Sequence, residues 1–348
     1  MDEKIKILEM LKEGQITVED SIKLMEAIES PKEEPFFEKH QKEIKKHDGF
    51  ASKLSELIED ITENVTKAVN EVGIIVDLGE IGNREFVDSK QFIFTANTPE
   101  VIESLKLKAK NSQVQIEGYH GSIIEIRGSY KPRIGKIVEI KLLEENNSIE
   151  LDYDYNAVKH LSIQARIPNL FINEIDAVTS NSKIMIEDIK AKDIYAKTTN
   201  GSIITEDVEA NLLDLSTSNS SISISDSKSE KAKLATSNGA IKLEDVYITE
   251  TRAMTSNGKI SVESLNPINI EATLDAQTSN ASIVVNIEET PAKFRASTSN
   301  GKVSVDGGVY NYSENSKSFV EAISPYYEEA SKKIKMNLST SNGNIKIK

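Results

Sequence analysis

The chain has 348 residues, no cysteine, no tryptophan and a formal net charge of −14. The absence of cysteine excludes disulfides and thiolate metal sites. The acidic balance argues against nucleic acid and against direct binding to anionic lipid, and it favours cationic partners.

Residues 1–29 predict a helical hairpin. Ile5, Leu8 and Leu11 form one apolar stripe that Gly14 ends. Thr17 is a suitable N-cap for a second helix carrying Ile22, Met25 and Ile28. Thirty residues bury little core, so these six apolar side chains form a candidate partner face. Residues 30–73 read as a charged linker leading into an amphipathic helix over 50–72. That helix carries five acids against two lysines, so it suits a cap or a coiled-coil contact better than a membrane surface.

Residues 74–170 show loose alternation of apolar and polar residues and read as degenerate β-coils. Asn111 with Val114 and Ile116, and Asn147 with Ile149 and Leu151, carry faint versions of a pattern that then becomes regular.

From 171 to 348 the phrase Thr-Ser-Asn-Gly, or a close variant, recurs at Asn181, Asn200, Asn219, Asn238, Asn257, Asn280, Asn300 and Asn342. The first four spacings are each 19 residues; the others are 23, 20 and 42. A fixed period of this size is the signature of a repeat architecture whose units bury their apolar faces against one another. Three residues after each asparagine stands Ile, or Val303 in one case. Five after it stands Ile, Val, Leu or Thr205. Apolar positions at period two on both sides of a corner predict strand, sharp turn, strand. Asn and the following Gly supply left-handed backbone for that corner. Successive coils lie about 4.8 Å apart, close enough for an asparagine ladder, with the Thr two residues before as a second polar column or an inward methyl row. The expected fold is mainly β: a single-chain solenoid of ~19-residue coils, right-handed and β-helix-like, behind a small helical module. Residues 307–334 read as an insertion whose aromatics cover the C-terminal coil or, alternatively, present an exposed binding patch. The chain stops directly after its last strand, so an open end there would favour homodimers through the solenoid end, as the hairpin would through its helices.

One column carries possible chemistry. Asp188, Asp207, Asp226 and Asp245 recur one coil apart, and like charges at that spacing would be relieved by a cation. The plainer reading is a turn residue at the second corner. A periodic acid row does not give the unequal carboxylates that glycoside cleavage requires. His40, His47, His120 and His160 lie in no nucleophile motif, and no phosphate-binding glycine loop appears. No enzyme and no cofactor are expected. No stretch approaches the ~20 apolar residues that span a bilayer, and the N-terminus lacks an apolar signal core. A cytoplasmic location is expected, with a cell-surface or envelope location by a non-conventional route as the alternative.

The repeated phrase resembles the bacterial "putative adhesin" or β-strand-repeat family, over roughly 90–348. The N-terminal ILEMLKEGQITVEDSIKLMEAI resembles a SHOCT-like helical module. The combination is similar to the daptomycin-sensing surface protein family of Gram-positive bacteria. That resemblance implies a non-enzymatic protein of the cell-envelope stress response. The solenoid would be its scaffold, the hairpin its partner-binding module, and a protein or cationic antimicrobial peptide its partner. The alternative is an adhesin-like surface protein that binds glycans or another cell.

Overall fold

The computed structural model describes residues 89–348 apart from Glu288. The expected hairpin over 1–29, its partner face, and the linker and helix over 30–73 lie outside the described residues. The described chain is built from strands. Seven come first: β1 (Lys90–Asn97), β2 (Val101–Lys108), β3 (Val114–Tyr119), β4 (Ile123–Pro132), β5 (Ile140–Glu145), β6 (Ser148–Tyr153) and β7 (Val158–Pro168). A regular run follows: β8 (Phe171–Val178), β9 (Ile184–Glu187), β10 (Lys190–Lys197), β11 (Ile203–Glu206), β12 (Glu209–Ser216), β13 (Ile222–Ser225), β14 (Lys228–Ala235) and β15 (Ile241–Glu244). It continues through β16 (Val246–Met254), β17 (Ile260–Val262), β18 (Leu265–Asn266), β19 (Glu271–Thr278), β20 (Ile283–Val285), β21 (Ala292–Thr298) and β22 (Val303–Val305). The chain closes with β23 (Asn311–Asn315), β24 (Phe319–Ile323), β25 (Lys333–Thr340) and β26 (Ile345–Ile347).

Each coil has one long and one short strand. The long strands join a fourteen-stranded sheet and the short ones a twelve-stranded sheet. Pairing is parallel and in register from coil to coil: Ile203 aligns with Ile184 on one side and Ile222 on the other. This stacking is what a strand-turn-strand unit must do, because one coil alone leaves both strand edges and its apolar side uncovered. The inward residues of the two sheets form the core. Ile184, Ile203, Ile222, Ile241, Ile260, Ile283 and Ile345 are all fully buried. Each contributes about 2 kcal/mol by burial alone. The long strands break strict alternation. Ala191 and Ile194 both face inward, and Lys192 is skipped in the pairing between Ala191–Ala210 and Asp193–Leu212. The same skip recurs in the neighbouring strands with the register unchanged, so one local break in the ladder is repeated up the stack.

The two ends differ from the expected simple succession of coils. Coil β2–β3 lies next to β8–β9, although residues 120–170 separate them in sequence. The intervening chain extends both sheets on the other side of that coil: β7 joins β3 and β6 joins β2 in parallel, then β4, between β7 and β1, and β5, beside β6, pair antiparallel. Asn147 is therefore no coil corner. Asn146 and Asn147 both have positive φ (52° and 60°), as a two-residue turn joining β5 to β6 demands. At the far end the order is again non-sequential. β26 lies between β20 and β22, and β25 between β19 and β21. The chain leaves one slot empty, builds coil β21–β22 and hairpin β23–β24, then returns to fill the slot with its last residues. The strand Ile345–Ile347 is accordingly paired on both edges and offers no open end of the kind considered above. Of the insertion's aromatics, Tyr310 packs edge-on against Phe294 with ring centroids 5.2 Å apart, and Tyr327 is buried with its hydroxyl donating to Glu271. Tyr312 and Tyr326 stay exposed.

Candidate functional site

The corner residues form two polar columns. Each asparagine donates its side-chain amide to the side-chain oxygen of the asparagine one coil below. Asn219 donates to Asn200 at 2.6 Å, and Asn238 to Asn219 at 2.7 Å. The row begins at Asn111, which accepts from Asn181, and Asn200 donates to Asn181. It continues through Asn257 and Asn280 to Asn342 and ends at Asn300, following space rather than sequence. The threonines are buried and form the second column. Thr217 donates to the Gly201 carbonyl at 2.8 Å, and Thr278 to that of Gly258 at 3.0 Å. Thr198, Thr236 and Thr255 do the same toward Ser182, Ser220 and Gly239. From Asn181 onward each side-chain amide donates to the asparagine of the adjacent coil, so the asparagines hold coils together.

The corner glycines are explained by space rather than by left-handed backbone. None of Gly201, Gly239, Gly258, Gly301 or Gly343 has positive φ. A Cβ on Gly258 would stand 1.6 Å from the Gly239 carbonyl oxygen, far inside contact. The left-handed residues are at the other corner: Asp188, Asp207, Asp226 and Asp245 have φ between 48° and 55°. Asp tolerates that region better than most side chains, which gives the whole column a backbone reason. Among the described residues no group of three or more His, Asp or Glu side chains is placed to hold a metal ion.

Two outward surfaces remain. On the twelve-stranded sheet Glu117, Glu187 and Glu206 stand side by side in register. Burial, and then the charges of Glu206, Glu117 and Asp188, push the Glu187 carboxyl above its ordinary value, with Lys183 opposing. On the fourteen-stranded sheet a depression of about 750 Å³ runs across β14, β16, β19, β25, β21 and β24. Its outward lining holds Lys231, Lys233, Arg252, Lys293, Arg295 and Lys335 against Glu250, Asp275 and Glu321. Some of these pair: Lys231 with Glu250 at 2.9 Å, and Arg252 with Asp275 at 3.9 Å. Arg295 lies 5.1 Å over the Phe319 ring. Lys293 and Lys335 are aligned neighbours of the same sign. The depression thus carries six cations against three acids, on a chain of net charge −14.

Reading by repeat period alone missed this surface. Its residues occupy the positions seven and five before each asparagine, which alternate outward. Lysine and arginine gather there in the last coils, a signal present in the sequence. That Lys335 sits beside Lys293 was hidden, because their coils are neighbours only through the returning C-terminal strand.

The sequence profile of the Toastrack DUF4097 family matches residues 102–348, and that of a SHOCT-like domain matches residues 2–33. No curated protein matches. Similar solved structures include a putative cell adhesion protein from Clostridium sporogenes (13% identity, 74% of this chain and 98% of that one, TM-score 0.27). A putative adhesin from Bacteroides fragilis shares 14% identity over 74% of this chain and 97% of that one, with TM-score 0.39. One from Parabacteroides distasonis shares 10% over 75% and 98%, with TM-score 0.38.

Proposed function

The chain belongs to the Toastrack DUF4097 family, and on that premise we propose that it is a non-enzymatic, adhesin-like binding protein whose stacked coils present the fourteen-stranded face to an anionic glycan. The observation that carries this reading is the aligned pair Lys293 and Lys335 within the cationic depression. Like charges one strand apart repel, and an anionic chain laid across the strands relieves them. Strands about 4.8 Å apart repeat the charges at a spacing that a polymer of acidic sugars can follow.

The test is a titration of the purified full chain with a polyuronate, beside a neutral glucan of similar length, at physiological salt. Binding to the polyuronate alone, weakened about tenfold by Lys293→Gln with Lys335→Gln, is the expected result. Equal binding of both polymers, or no effect of the double substitution, would overturn the reading.

A second reading is supported by the register of Glu117, Glu187 and Glu206 on the opposite sheet. That acid row suits a cationic peptide, the ligand implied by an envelope-stress role of the daptomycin-sensing kind. Its discriminating result is a cationic peptide that binds the wild type and is lost in Glu187→Gln with Glu206→Gln. In that reading the SHOCT-like segment would relay the event to a protein partner, in the cytoplasm or at the envelope.

A further inference from the structure

The loop joining β4 to β5 is the most exposed apolar element of the described chain. Ile134 and Ile137 are 105% and 97% exposed, while Val138 beside them packs on the core. Soluble proteins scatter single exposed aliphatics freely, but two fully bared isoleucines on one tip call for a partner. The loop is built rather than slack. The Lys136 amide donates to the Arg133 carbonyl at 3.0 Å, Gly135 has φ 74°, and the Arg133 amide donates to the Ala157 carbonyl at 2.8 Å. This is a type II turn tied to the strand beside it, with Ile134 at its corner.

Its charge is the reverse of the chain's. The turn itself, residues 133–138, carries two basic residues, Arg133 and Lys136, and no acid. Glu139 itself is paired with Lys141 at 3.1 Å. The loop also stands at an extremity. β5 is the outermost strand of the fourteen-stranded sheet, and β4 is next to outermost in the other, so the turn crosses from one sheet to the other where the stack ends. A tip at the end of a stack can meet a flat surface without the sheets obstructing it.

We infer that this turn is a docking finger for an anionic lipid bilayer, its two isoleucines entering the headgroup boundary and its basic side chains meeting the lipid phosphates. Exposed aliphatic side chains flanked by Arg133 and Lys136 are the combination that interfacial binding uses. The overall charge of −14 argues against lipid for the chain as a whole; screening confines that repulsion to about 8 Å at physiological salt, so a local basic tip acts on its own. The inference uses a surface separate from the cationic depression and stands whatever that depression binds.

The test is flotation of the full chain with vesicles of phosphatidylcholine containing about 30% phosphatidylglycerol, beside pure phosphatidylcholine vesicles. Ile134→Ser with Ile137→Ser, and Arg133→Gln with Lys136→Gln, alter exposed side chains, so thermal unfolding should match the wild type. The wild type is expected to float with anionic vesicles only, and either double variant to lose about tenfold. No flotation, or flotation unaltered in the isoleucine variant, overturns the inference. So does an isoleucine variant that changes self-association instead, because the tip would then contact a second copy.

Discussion

The Thr217 hydroxyl donates to the Gly201 carbonyl at 2.8 Å, binding one coil to the next from inside the corner. Thr205 lies twelve residues earlier, fully buried, and its hydroxyl has no partner. One residue type thus has opposite value at two positions. Thr217→Val should cost about 1–2 kcal/mol, because a buried carbonyl loses its donor. Thr205→Val should be neutral or stabilising by up to about 1 kcal/mol, because it removes an unpaired polar atom at nearly constant volume. Chemical denaturation of both variants checks the signs.

Gly258→Ala should be among the most damaging single-methyl changes in the chain. The added carbon would lie 1.6 Å from the Gly239 carbonyl oxygen, which is backbone and cannot swing away. A loss of about 2–4 kcal/mol is expected, read as a shift of the denaturation midpoint. Ser220→Gly is the control: that corner already holds a side chain, so the change should be small.

The acidic corner gives a conformational test. Asp226 has φ 48°. Asp226→Gly should leave stability nearly unchanged, whereas Asp226→Val should cost about 1–2 kcal/mol, since a β-branched residue strongly disfavours that region. An equal loss in both variants would show that the carboxylate, and not the backbone, is what the corner needs.

Glu187 gives a pH dependence whose sign follows from its raised pKa. A carboxyl raised in the folded state favours folding most where it is protonated, and that stability is lost as pH rises through the folded value. Glu187→Gln should therefore raise the melting temperature near neutral pH. The advantage should vanish below about pH 4, where the wild-type carboxyl is itself neutral. A benefit independent of pH would assign the effect to packing.

Much of this molecule is legible as text, though unevenly. The asparagine period gives the parallel stack, the inward columns and the polar ladders, because every unit repeats one local solution. The break in alternation at Lys192 was not legible: it interrupts period two without any Gly or Pro to mark it. The role of the corner glycines was misplaced for a related reason. Sequence shows that a small residue is wanted but not whether torsion or a neighbouring carbonyl demands it.

The cationic depression shows the same limit at the level of function. Its lysines and arginines can be read from the columns before each asparagine, but their grouping depends on which coils are neighbours.

Sequence by itself therefore determined what each coil is, because strand alternation, corner chemistry and period are local and repeated. Tertiary structure alone decided the order of the coils at both ends. At the C-terminal end a returning segment fills a slot between distant neighbours, and at the other end the chain builds outward before stacking β8–β9 on the opposite side of coil β2–β3, because parallel register is indifferent to how far apart in the chain two matching coils were made. That choice puts Lys335 beside Lys293, buries the last strand, and leaves the Ile134–Ile137 turn at the outer limit of the stack.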